Sequence, residues 1–232
     1  MLRFDKVSKQ YGGRNIVREI SLRLSGGEIV LLAGSNGVGK STVLRLAAGL
    51  TAPSSGNVEM EDVRLGYLGH GTGVYANLSA LENLAFWQRL HNADARVSTL
   101  TAALERVGLT RRGRDRAGSF SRGMVQRLNL ARLLLQDPDV LLLDEPGTGL
   151  DPQSVGLLTA EVLAARARGA GVLWVSHDLG RDLPLADRVL ELFWVKGGAR
   201  LIFDGEPCAW EKQPDATEPT ISASGNNTGL PC

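Results

Sequence analysis

Long apolar runs are missing from this chain of 232 residues. Segments such as "VLLL" at 140–143 and the nearby "RLLLQ" are core-sized, well short of the roughly 18 to 20 residues that cross a bilayer. The expectation is a chain soluble by itself. Cysteine is scarce too: Cys208 and Cys232 both lie in the last 25 residues, which excludes a disulfide framework and offers no metal-ligand spacing. Charge of one sign is also lacking. With 26 basic and 25 acidic side chains the net charge is +1, so no global field draws the chain to nucleic acid or an anionic surface, and any phosphate site must be local. The opening "MLRFDKVSKQ" is charged from position 3 and gives no reading as an export signal. Of the basic residues only five are lysine.

What is present argues for a packed fold. Hydrophobic residues make up 43% of the chain, enough for one well-packed domain. Strand and helix patterns alternate. "IVREISLRLS" alternates apolar and polar residues as a half-buried antiparallel strand does, and "SGGE" turns it into the wholly apolar "IVLLA", a buried parallel strand. "TVLRLAAGL" has helical spacing and stops at Gly49. "LSALENLAFWQRL" begins with Ser79 and Glu82 at capping-box spacing. With "STLTAALERVGL" and a helix expected over Met124 to Gln136, it forms a helical insert at about 78–136. "DVLLLDE" and "GVLWVSHD" are two more buried strands, separated by a helix with Asp151 as N-cap and Pro152 at its first position. A hairpin, "VLELFWV" to "RLIF", closes the fold. The last segment, 207–232, is polar and aperiodic and is expected to be a disordered tail.

One of the five lysines falls in "GSNGVGKST", Gly34 to Thr42, directly after a buried strand and before a helix. A loop wound so that successive N–H groups point inward makes a nest for anionic oxygens. Glycines permit the dihedrals, and the helix N-terminus adds its positive dipole. Gly34, Ser35, Asn36, Gly37, Val38 and Gly39 would wrap the phosphates. Lys40 would reach the β- and γ-phosphates and Ser41 would hold Mg²⁺. This is a Walker A loop, and Thr42 completes it. "VLLLDEP" supplies the acids such a site needs at a strand's carboxyl end, with Asp144 for Mg²⁺ through its water shell and Glu145 as general base. His177, at the end of "VLWVS", occupies an equivalent position near the γ-phosphate. Ser121 is expected to cap the helix that follows. Together with Gly123 and the helix N-terminus behind them it makes a second phosphate surface with no second glycine loop to serve, one that suits a partner's nucleotide. Trp87, next to Phe86, fits either the core or a surface that receives a membrane protein's helix. The run "RRGRDR", Arg111 to Arg116, lacks interleaved aromatics and reads as a solvated loop, so no nucleic acid is expected.

In this order the motifs resemble the ATP-binding subunits of ABC transporters over about residues 1–206. Tyr11 matches the aromatic that stacks on adenine, "GSNGVGKS" the Walker A loop, "FSRGM" the signature, "VLLLDE" Walker B, "TGLD" the D-loop and "SHD" the switch histidine. The resemblance implies an α/β P-loop NTPase with a RecA-like core, an N-terminal antiparallel β subdomain and a helical subdomain. It also implies hydrolysis of ATP with Mg²⁺ and two chains sandwiching two nucleotides as a homodimer or pseudo-dimer. Ser121 and Gly123 would then bind γ-phosphate in trans, Asp151 would cross the interface, and His177 would contact γ-phosphate. Separate integral membrane subunits would form the pore, placing the chain peripherally on the cytoplasmic face of the inner membrane. Two positions depart from the family pattern: Arg122 replaces a signature glycine, with Met124 for glutamine, and His70 stands where a glutamine usually touches Mg²⁺. The segment "GHGTGVYANLSALENLAFWQRLH" is similar to that of the haem-exporter ATPases of cytochrome c maturation. Export of a drug, lipid or ion, and an ATP-gated assembly module with little turnover, are the alternatives.

Overall fold

The computed structural model describes residues 1–69, 71, 73–176 and 178–211. His70, His177 and Cys232 lie outside the described residues, as does most of the expected tail. The strands are β1 (Leu2–Tyr11), β2 (Arg14–Leu24), β3 (Ile29–Ala33), β4 (Ser55–Met60), β5 (Leu65–Leu68), β6 (Val140–Asp144), β7 (Gly171–Val175), β8 (Arg188–Val195) and β9 (Gly198–Gly205). The helices are α1 (Lys40–Ala47), α2 (Ala80–Leu90), α3 (Val97–Arg106), α4 (Arg122–Leu134), α5 (Pro152–Ala167) and the single turn α6 (Leu179–Asp182).

Among the described residues the strands join in one sheet, in the order β4-β1-β2-β9-β8-β3-β7-β6-β5. The neighbours in β8-β3-β7-β6-β5 pair in parallel. The pairs β1-β2, β1-β4 and β8-β9 are antiparallel. A single parallel bridge, Val17 to Ala199, joins the antiparallel part to the rest.

Every residue of β3, β6 and β7 is buried, as strands covered on both faces must be, which accounts for their continuous apolar runs. Alternation then divides the core in two. Ile29, Leu31, Leu141, Leu143, Val172 and Trp174 face the helical insert and α5. Val30, Leu32, Leu142, Leu173 and Val175 face α1 and the β1-β2 hairpin. The glycine loop and the carboxyl ends of β5, β6 and β7 therefore meet at one edge of the sheet, where loops are free to carry polar groups.

The insert follows its sequence signals. Ser79 Oγ accepts from the Glu82 amide and Glu82 from the Ser79 amide. The helix expected over Met124 to Gln136 instead begins at Arg122 and ends at Leu134. It starts directly behind its Ser121 cap and stops before Asp137, which has φ 43°. Past residue 206 the chain still packs: Pro207–Ala209 forms a 3₁₀ turn and the Trp210 indole donates to buried Glu191 at 2.9 Å.

Candidate functional site

The glycine loop leaves β3 with Gly34 at φ 135° and enters α1 through Gly39 at φ 115°. Both angles lie in the region that side chains avoid, and space forbids a side chain as well. A Cβ at Gly34 would collide with the Leu192 carbonyl oxygen, and one at Gly39 would sit 2.9 Å from Val17 Cγ1. Between them the Val38 amide donates to the Ser35 carbonyl at 3.3 Å, Val38 is buried, and Asn36 and Gly37 form the exposed tip. Gly39 caps α1 without a side-chain hydrogen bond. Lys40, 8% exposed, lies inside the loop, and its ammonium donates to the Gly34 and Ser35 carbonyls at 2.7 and 2.9 Å.

From α1 the Ser41 hydroxyl donates to Asp144 Oδ1 at 3.1 Å, so a hydroxyl and a carboxylate 103 residues apart in sequence stand together at the mouth of the loop. Thr42 follows in the same turn. Asp144 is 4% exposed and lines two cavities. One, of about 450 Å³, also contains Glu145, Thr148, Gln126, Arg122 and Phe120. The other, of about 430 Å³, contains Ser41, Arg45, Tyr67, Gly73 and Arg132. Burial pushes the Tyr67 phenol above its ordinary pKa, and the Asp144 carboxylate adds to the effect. Glu145 has φ 50°, a strained conformation for such a side chain that costs of order 1–3 kcal/mol and is found where function fixes the backbone. Its amide donates to the Val175 carbonyl at 2.9 Å, and Thr148 Oγ1 donates to its carboxylate at 3.4 Å.

The remaining residues lie around this centre. Tyr11 is at the tip of the β1-β2 hairpin, 47% exposed, with the Lys9 ammonium 5.0 Å from its ring centroid. Ser121 Oγ accepts from the Met124 amide at 3.3 Å. Asp151 caps α5 through the Ser154 amide and hydroxyl, at 2.9 and 2.8 Å. That amide bond is the main reason its carboxyl is held below the usual range. A Cβ at Gly123 would meet Asp151 Oδ2 at 3.4 Å, so signature and D-loop pack on each other within one chain. Thr148, the first residue of "TGLD", and Gln126 were given no role of their own in the sequence. Their only signal is proximity to "DEP" and to the signature.

Two ambiguous stretches resolve. Trp87 belongs neither to the deep core nor to the open surface. Its indole N–H donates to the Gly73 carbonyl at 3.0 Å, and the Arg132 guanidinium carbon lies 4.5 Å from its ring centroid. Burial pulls the Arg132 pKa below its ordinary value. The basic run serves α2, whose Ala80 and Leu81 amides donate to the carbonyls of Asp115 and Gly113. Beside it Leu81, Phe86, Leu90 and Val97 line an apolar groove of about 780 Å³.

A glycine cradle too tight for side chains, a lysine within it and a Ser–Asp pair at its mouth define a P-loop ATPase. Residues 17–148 match the family described as ABC transporter. The chain belongs to that family, as one of its ATP-binding, ATP-hydrolysing subunits. It is 38% identical over 211 residues to the cytochrome c biogenesis ATP-binding export protein CcmA of Rhodobacter capsulatus, covering 88% of this chain and 95% of that protein. With the linearmycin resistance ATP-binding protein LnrL of Bacillus subtilis the identity is 34%, over 82% of this chain and 65% of that protein. A solved structure of the ATP-binding subunit of an ABC transporter superimposes with a TM-score of 0.80 at 25% identity, covering 89% of this chain and 90% of that one. Among the described residues no helix is long and apolar enough to cross a membrane.

Proposed function

We propose that this chain is the motor of an exporter serving cytochrome c biogenesis, with haem as the cargo class. It would work as an ATP-sandwiched pair beneath separate membrane subunits, on the cytoplasmic face of the inner membrane. The observation that carries the motor reading is the Ser41–Asp144 pair beside a lysine-filled glycine cradle. The cargo reading is supported by the 38% identity to the cytochrome c biogenesis relative and by the "GHGTGVYANLSALENL" segment.

In this reading the loop from Gly34 to Thr42 wraps the triphosphate, Lys40 leaves its carbonyl partners for the β- and γ-oxygens, and Tyr11 stacks on adenine. The donor set fits Mg²⁺, which favours a carboxylate or two plus substrate phosphates over an all-protein cage. Ser41, Asp144 and His70 would hold it, and it would supply neutralisation of phosphate charge. Glu145 accepts the proton of the attacking water, and its strained backbone fixes the carboxylate at the strand end. His177 steadies the γ-phosphate. Ser121 and Gly123 of a second copy close the site, with Asp151 at the junction. The apolar groove on the insert receives the membrane subunits.

Glu145→Gln should lower phosphate release by about 10²-fold or more while ATP still binds. Unchanged turnover removes the general-base role. Capture from detergent-solubilised membranes should recover hydrophobic subunits that bind haem, seen as a Soret band. Subunits lacking that band reassign the cargo, as the 34% identity to a linearmycin resistance ATP-binding protein allows. Absence of turnover even with those subunits leaves an ATP-gated module.

A further inference from the structure

The loop from Glu145 to Asp151 is gripped by two arginines that differ in how they are held. A Cβ at Gly147 would stand 3.1 Å from Arg181 Nη2, and one at Gly149 would stand 2.9 Å from Arg122 Cζ. Each guanidinium therefore rests on a glycine, and a larger residue would push it away. Arg181 is anchored: it bonds fully buried Asp182 at 2.6 and 2.8 Å, and Asp182 also accepts from Ser176 Oγ at 2.5 Å. Arg122 is exposed and has no ion-pair partner among the described residues. Among the described residues its guanidinium lies against Gly149.

Arg122 lies between Ser121 and Gly123 at the start of α4, and it lines the cavity that contains Glu145. An anion arriving at that helix start meets an exposed guanidinium first, and a charge-assisted bond to phosphate outweighs contact with a glycine. We propose that Arg122 is a positioning residue that reports capture of the partner's phosphate to this chain's own Glu145 loop. It clasps Gly149 until phosphate draws it away, and the loop is then free to take its hydrolytic position. The unusual signature residue thus becomes a cis coupling element. This rests on the trans-sandwich reading above, in which the two sites sense each other.

The test uses the full chain and Arg122→Gln, an exposed substitution that leaves the core intact. Hydrogen exchange of amides 147–150 without nucleotide should quicken about tenfold in the variant, and equal exchange overturns the clasp. ATPase rate against ATP concentration should be sigmoidal in the wild type and approach a Hill coefficient of 1 in the variant. Gly149→Ala, which expels the guanidinium while keeping its charge, should flatten the curve in the same way. An unaltered Hill coefficient in both variants overturns the coupling. Sedimentation of Glu145→Gln with ATP separates the two ideas. A pair that forms while steepness survives in Arg122→Gln sinks the coupling alone, whereas no pair at all sinks the sandwich and the coupling with it.

Discussion

Two helix beginnings in this molecule face opposite tasks. α2 meets its own needs: Ser79 and Glu82 bond each other's amides, and the carbonyls of Gly113 and Asp115 accept from the next two N–H groups. α1 begins at a glycine that supplies no side chain, behind a loop whose two boundary glycines adopt angles other residues avoid. The first arrangement stabilises a fold. The second leaves a positive helix end and a buried ammonium for a ligand with several anionic oxygens. Local satisfaction marks structure, and its deliberate lack marks the site.

Giving α1 the cap that α2 has should break the contrast most severely. Gly39→Asp places a side chain at φ 115°, against Val17 and inside the cradle, and should weaken ATP binding at least 100-fold, or about 2.7 kcal/mol, in calorimetric titration. Tight binding by that variant would show that the bare helix start is incidental. On the α2 side, Asn83 is 2% exposed and bonds the Tyr75 amide and the carbonyls of Tyr75, Leu78 and Ser79. Asn83→Ala strands these groups and should cost about 2–3 kcal/mol in urea unfolding, with ATP affinity within twofold of wild type. Ser79→Ala should cost about 1 kcal/mol by the same measurement. The smallest effect is one of pH. The Ser79 amide bond holds the Glu82 carboxyl below its ordinary 4.5. Its stabilisation is therefore full above about 4.5 and lost as pH falls through the lowered folded value. Unfolding of wild type and Glu82→Gln should converge only in acid.

Much of the site was legible because its chemistry is local in sequence. The glycine spacing, the acids closing "VLLLDE" and the Ser121 and Asp151 caps each sit within a few residues of the feature that explains them. Contacts between distant segments were not legible. Ser41 and Asp144 were expected around one metal ion, but nothing near Trp87 announces Arg132 beneath it, since such a pair arises from how the sheet and insert stack. The edge strands β4 and β5 also gave little signal, because "SGNVEM" is mostly exposed and "LGYL" is too short for a period. The family-like signature revealed Ser121 and Gly123, but Arg122 acquires meaning only when Gly149 is found under it.

The strand order has a consequence for synthesis. β3, which launches the phosphate loop, lies between β7 and β8, and β2 bridges to β9 at Val17 and Ala199. A ribosome must therefore deliver nearly two hundred residues before the cradle is framed on both sides. Until then the early segments wait, their apolar faces exposed to chaperones, and a nascent chain halted before β8 has a complete motif but no finished pocket.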